Sequence, residues 1–253
     1  MTPQQLELIK ATVPVLRENG VALTSYFYQR MLNAYPELKN TFNLDHQNNG
    51  MQPRALAAAV LAYASNIDNP SVLAQAVERI TTKHVSLNIQ PDQYAIVGEQ
   101  LLLSISEVLK VSMQDELIAA WKVAYLQLAD LLIAAEQAKY AALNQQQGGW
   151  SGWREFNITA LDQQAEQYRV VLTATDQNDV VTAQDGALIS VRVQVPNQDF
   201  KQPQQFKVLQ NESNQYHLLL EVPENPSEFC VAQILVQHYQ VGDQVEVSAP
   251  FTL

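Results

Sequence analysis

The segment Arg79-Ile80-Thr81-Thr82-Lys83-His84 ends on an imidazole whose company could do metal chemistry. Ten residues later stands a phenol, in Pro91-Asp92-Gln93-Tyr94, and a carboxylate, Glu136, follows further along. A lone histidine on a helical segment can bind a haem iron, and a tyrosine and a glutamate behind it can raise its basicity by hydrogen bonding. Upstream, Tyr28 in Tyr26-Phe27-Tyr28-Gln29-Arg30-Met31, with Phe42, Gln52 and Leu56, offers residue types for a pocket on the opposite face of the same haem. Each has a plainer reading. His84 alone is an ordinary polar residue near a helix end, Tyr28 an aromatic in a core-forming run, and Glu136 a solvated charge. His46 in a loop, His217 on a strand and His238 on a short helix have no Tyr/Glu pair at such spacing and are expected to be structural.

These residues need a helical frame, and residues 1–147 supply one. Apolar side chains recur at three- and four-residue steps, as in Leu6, Ile9, Val13 and Leu16. Thr2 before Pro3 caps a first helix, Pro91 opens one running to about Lys110, and a last long helix spans roughly Gln114 to Gln146 with Leu117, Trp121, Tyr125, Leu128 and Leu132 on one stripe. Phe42 to Gly50 is a loop by composition. Gln145-Gln146-Gln147-Gly148-Gly149 then forms a linker, after which the period becomes two. Ile189, Val191, Val193 and Val195 alternate with polar residues, and Val245 and Val247 follow the turn at Val241-Gly242-Asp243. Arg169 to Thr173 and Tyr216 to Val222 add strands, and Cys230 to Tyr239 carries a helical stripe. The expected architecture is α+β and two-domain: an all-α unit at 1–147 and a small antiparallel β-barrel with one short helix at 148–253.

Composition narrows the chemistry. The single cysteine, Cys230, excludes an internal disulfide and covalent haem attachment through C-x-x-C-H, so a haem would be held non-covalently as haem b. The N-terminus has no basic stretch followed by an apolar run, and no run approaches ~18 apolar residues, so a cytoplasmic protein without a membrane span is expected. The net charge of −11 is unevenly placed. Residues 1–147 carry 10 basic against 13 acidic side chains, or −3, and residues 148–253 carry 5 against 13, or −8. Such a field repels polyanions, which argues against nucleic acid and disfavours nucleotide cofactors.

The whole pattern resembles the flavohaemoglobins, in which a globin precedes a flavin-binding barrel and a nicotinamide-binding domain. The resemblance makes Tyr28 the distal phenol and Phe42, in Lys39-Asn40-Thr41-Phe42-Asn43, the ring that packs on the haem. It makes Gln52 and Leu56 the distal glutamine and the leucine one turn later, and His84 the iron ligand with Lys83 beside it. Tyr94 and Glu136, the latter four residues before Tyr140, become the pair that hydrogen-bonds behind the imidazole. Pro53 departs from the family pattern; it fits a first helical turn, so the distal helix is expected to start here, with Gln52 more mobile. The barrel departs further. Where the family holds flavin with Arg-x-Tyr-Ser, this chain reads Gln204-Gln205-Phe206-Lys207, and Gly-x-Val-Ser is replaced by Phe229-Cys230-Val231-Ala232. The sequence ends at Leu253, where the nicotinamide domain would begin, and it carries no glycine-rich phosphate loop. Neither FAD nor NAD(P)H is therefore expected to bind.

The resemblance implies binding of oxygen, nitric oxide and carbon monoxide, with dioxygenation of nitric oxide to nitrate as the chemistry and an external reductase to restore the iron. The competing expectation is a non-enzymatic gas sensor or oxygen carrier whose barrel docks a partner, stabilises the globin or mediates dimerisation.

Overall fold

The computed structural model describes residues 1–253. Thr2 and Gln5 cap each other reciprocally, the Thr2 hydroxyl accepting from the Gln5 N–H at 3.2 Å and the Gln5 amide oxygen from the Thr2 N–H at 2.9 Å. That box opens α1 (Pro3–Ala11), followed by α2 (Val13–Ala34) and a 3₁₀ turn at Pro36–Asn40. Next come α4 (Met51–Ser65), α5 (Ala74–Ser86), α6 (Pro91–Leu109) and α7 (Glu116–Gln145). The stretch expected to be a loop at Phe42 to Gly50 instead contains a short helix, α3 (Leu44–Asn48). Leu44 is buried at its start, and Gly50, at φ +74°, makes the left-handed bend from which α4 sets off.

The helix α7 is the longest in the chain. Its composition averages apolar enough, over sufficient length, to cross a membrane, although Lys122 and Asp130 interrupt any unbroken apolar run. Ile118, Trp121, Ala124, Ala129, Leu132 and Glu136 form its buried stripe, and the Ala124 carbonyl accepts from the Tyr63 hydroxyl at 3.0 Å, as in the core helix of a globular unit.

Beyond α7 the chain turns sharply at Gly149. A Cβ there would lie 1.9 Å from the Leu143 carbonyl oxygen, so only glycine permits this approach. Six antiparallel strands follow: β1 (Arg154–Gln164), β2 (Gln167–Ala174), β3 (Leu188–Gln194), β4 (Lys201–Glu212), β5 (Gln215–Glu221) and β6 (Gln244–Val247), with α8 (Val231–His238) before the last. They close in the order β1-β2-β5-β4-β3-β6. Phe156, Ile158, Leu172, Ile189, Leu218 and Leu220 fill the interior. Trp150 covers them, its indole N–H donating to the Val247 carbonyl at 3.2 Å and its ring resting near Phe156 and Tyr216.

Two strands escape the alternation rule. The β1 register shifts between Ile158 and Ala160, and β4, rich in glutamine and holding Pro203, shifts between Val208 and Gln210; each bulge breaks the two-residue period. By contacts the chain forms two compact units. One comprises Met1–Glu37, His46–Ile80 and Gln90–Ala135, and the other Leu38–Asp45, Thr81–Ile89 and Glu136–Leu253.

Candidate functional site

The expected site residues are distributed over both units: Tyr28, Gln52, Leu56 and Tyr94 in the first, Phe42, Lys83, His84 and Glu136 in the second. Within the second, His84 Nδ1 lies 2.7 Å from Glu136 Oε1, and Glu136 is only 2% exposed. A carboxylate accepts and cannot donate, so Nδ1 carries the proton and the lone pair sits on Nε2, the nitrogen that can ligate a metal. Tyr140, one turn beyond Glu136, ties α7 to the segment after α5 by donating to the Ile89 carbonyl at 2.8 Å. Burial, and then the charge of Glu136, push the Tyr140 phenol well above its ordinary pKa, so it remains a donor. Lys83 is exposed on α5, its carbonyl accepting from the Ser86 hydroxyl at 2.8 Å. No three His, Cys, Asp or Glu side chains gather as a metal cage, so an ion at His84 needs ligands of its own, such as a porphyrin's four nitrogens. The donor set therefore fits a haem.

Within the first unit, α2 and α4 approach along a ladder of small contacts. Gly20 faces Ala57 closely enough that a Cβ on Gly20 would meet that of Ala57 at 3.4 Å, and one turn on the Thr24 hydroxyl donates to the Pro53 carbonyl at 2.7 Å. One turn further, Tyr28 and Gln52 are joined by a side-chain hydrogen bond. Tyr28 is 7% exposed, its ring packed on Phe27 with centroids 4.9 Å apart, and burial drives its phenol far above the ordinary value. Pro53 sits in the first turn of α4, where its missing N–H costs no helical bond. Leu56, half-buried, follows Gln52 by one turn on the same face. Tyr94, on α6, is 8% exposed; its carbonyl accepts from the Tyr125 hydroxyl at 2.6 Å, and the Tyr125 ring lies directly on Gly98.

Phe42 lies half-buried between the 3₁₀ turn and α3, its carbonyl accepting from the Gln202 amide at 3.2 Å. Sequence reasoning missed Gln202 and Thr24, because polar residues whose partners are distant backbone atoms carry no local pattern.

The residues matched above to the family's flavin motifs are engaged within the barrel. Gln204 Oε1 accepts from the Val231 N–H at 3.0 Å, so the N-terminus of α8 is capped by the very residue that replaces the arginine. Phe206 is 6% exposed and turned into the barrel core. Phe229, in place of a glycine, pairs its ring with Phe200 at 6.0 Å. Lys207 is exposed and the one cation in the stretch.

Comparison with known proteins agrees with this architecture. A globin family model matches residues 25–132. The flavohemoprotein of Bordetella pertussis is 45% identical over 259 residues, covering all of this chain and 64% of that protein; the chain thus spans under two thirds of such relatives. A flavohemoglobin from Malassezia yamatoensis, solved with bound FAD and heme, superposes over the whole chain and 64% of its own with TM-score 0.86 at 27% identity. An engineered carbene transferase made from a candidate nitric oxide dioxygenase of Rhodothermus marinus is 36% identical, with 57% of this chain and 99% of that one covered and TM-score 0.54. A globin followed by a six-stranded antiparallel barrel, similar along its whole length to these proteins, the chain belongs to the flavohaemoglobin family.

Proposed function

We propose that this chain binds one haem b through His84 and converts nitric oxide and oxygen to nitrate, with electrons drawn from a separate reductase. In this reading the globin occupies 1–147 and the barrel 148–253. The observation that carries it is the His84–Glu136 hydrogen bond of 2.7 Å. When bound, the haem supplies the iron at which oxygen, nitric oxide or carbon monoxide is held and oxidation takes place.

The side chains do the rest. Glu136 keeps the Nδ1 proton of His84, fixes the tautomer that presents Nε2, and increases electron donation by the imidazole; Tyr94 is the phenol that the family pattern assigns to the same task. Tyr28, kept protonated by burial, offers an O–H to a ligand that has drawn electron density from the iron, and Gln52 orients the phenol or donates itself. Leu56 would narrow the space a ligand can enter, and Phe42 and Lys83 would help to hold the haem, Lys83 beside His84 in the chain.

The separate reductase follows from the barrel. With Gln204 spent on capping α8 and Phe229 paired with Phe200, we read the barrel as binding neither FAD nor NAD(P)H. The test is nitrate yield per haem, with nitric oxide supplied to the oxygenated protein. Yield is expected to stop near one equivalent alone and to continue with an added reductase. A gas sensor or carrier is the competing reading, favoured by the barrel's hydrogen bonds to the Phe42 and His84 segments. It would give no turnover with any reductase.

A further inference from the structure

We propose that the β3–β4 hairpin of the barrel is a bracket for the haem: Gln202, Gln205 and Ser190 act as positioning residues that hold the Phe42 segment and the end of α5 in one frame. The inference rests on the haem reading above but concerns residues to which that reading gives no part.

The first arm of the bracket is Gln202. Its side chain is fully buried and spends its amide on the backbone on both sides of Phe42. Nε2 donates to the Lys39 carbonyl at 2.6 Å and to the Phe42 carbonyl at 3.2 Å, and Oε1 accepts from the Leu44 N–H at 2.6 Å. The neighbouring strand residues continue the seam. The Lys201 N–H donates to Asn40 Oδ1 at 2.9 Å, and Asn43 Nδ2 donates to the Pro203 carbonyl at 2.7 Å. Beyond the strand, the Ser227 hydroxyl donates to Asp45 at 2.6 Å. A segment with little regular structure of its own thus takes its shape from β4, and the direction in which Phe42 projects is set by a strand remote in sequence.

The second arm reaches α5. Ser86 stands two residues after His84 and is 3% exposed. Its hydroxyl donates to the Lys83 carbonyl and accepts from the Ser190 hydroxyl at 3.1 Å and from the Gln205 amide at 3.4 Å. Ser190 is itself fully buried, its N–H bonded to the Ser248 hydroxyl at 2.9 Å, so it cannot yield without disturbing β3. Buried polar networks in which each contact is satisfied fix geometry more sharply than apolar packing. Gln202 and Gln205 belong to the same glutamine-rich run as Gln204. The same strand thus spends two of these side chains on the segments that carry Phe42 and His84.

The test uses the full chain loaded with haem. Gln202→Leu should transfer ferric haem to excess apomyoglobin at least ~10-fold faster than the parent, and amide exchange should accelerate across residues 39–45 while β2 and β5 keep their protection. Ser190→Ala and Gln205→Leu should leave release nearly unchanged but shift the iron–histidine stretching band. The control is Leu218→Ala, which empties space in the barrel core without touching the bracket; it should loosen the barrel and alter release by less than about twofold. Parent-like release and exchange in Gln202→Leu would overturn the bracket, as would equal acceleration in Leu218→Ala, since that would make the effect one of barrel stability. If Gln202→Leu does not fold, the Ser190 and Gln205 variants decide, and unshifted bands in both refute the proposal. A parent protein that takes up no haem would sink the haem reading, and the exchange pattern at 39–45 then decides the bracket alone.

Discussion

Replacing Tyr28 with phenylalanine removes one oxygen atom and leaves the ring in place, so the Phe27 contact and the α2–α4 ladder survive. What disappears is a donor that burial keeps protonated. A hydrogen bond to a ligand bearing partial negative charge contributes about 1.5–3 kcal/mol. Part of this returns in the variant, because the Gln52 amide loses its phenol partner and turns its own N–H to the ligand. The return is incomplete, since Pro53 restricts the backbone next to Gln52 and leaves the adjustment to its side chain. A net loss near 1.4 kcal/mol corresponds to a roughly tenfold faster oxygen dissociation. Stopped-flow displacement of oxygen by carbon monoxide measures it directly, and Gln52→Leu should show the same change at smaller size. An unaltered off-rate in Tyr28→Phe would mean that the phenol does not reach the gas, and the distal part of the proposed mechanism would fail with it.

His84→Ala should abolish stable incorporation of one b-type haem per chain, read from the pyridine haemochromogen and the ferrous–CO spectrum; an unchanged spectrum would move the ligand elsewhere. Titration of the protein with FAD should give a dissociation constant weaker than ~1 μM, equivalent to less than about 8 kcal/mol of binding, and no NADH oxidation of its own; tighter binding would restore the barrel as an electron-transfer module. The last prediction concerns pH. Burial pushes the Glu246 carboxyl up, but hydrogen bonds and charge from Arg192, at 2.7 Å, and from Lys201, at 3.1 Å, more than offset it and hold the group below its ordinary value of 4.5. A depressed carboxylate stabilises the fold above its unfolded pKa and loses that contribution as pH falls through the folded value. Urea midpoints should therefore drop below about pH 4.5 more steeply in the parent than in Glu246→Gln; parallel curves would show the triad to be inert.

Legibility followed the reach of the interactions. Helices and strands whose partners lie one turn or one alternation away, such as α6 with its Pro91 start and β3 with its valines, were readable from local period. The strands β1 and β4 were not, because bulges and a glutamine-rich composition erase that period. Thr24, Gln202 and Ser190 act on backbone or hydroxyl groups far away in sequence, and nothing around them marks that use. The His84–Glu136 pair was anticipated only through the family pattern, since no spacing rule connects a residue on α5 to one on α7. The departures from the family's flavin motifs were visible in the sequence, whereas the Gln204 cap on α8 was not, because its partner lies 27 residues away.

Closure of the barrel sets a schedule for biosynthesis. Phe156 pairs with Ala174 on β2 almost as soon as both emerge, but its other partner is Val245, on the last strand. Until the ribosome has delivered β6, the nascent barrel has two unpaired edges, and an edge of that kind recruits whatever strand is nearest. The segment bearing His84 leaves the exit tunnel long before Ser190 and Gln205, to which it is later tied. A chain interrupted before Gln244 would thus present finished helices beside a sticky, open sheet, and quality control would meet it as an aggregation-prone species rather than as a small haem protein.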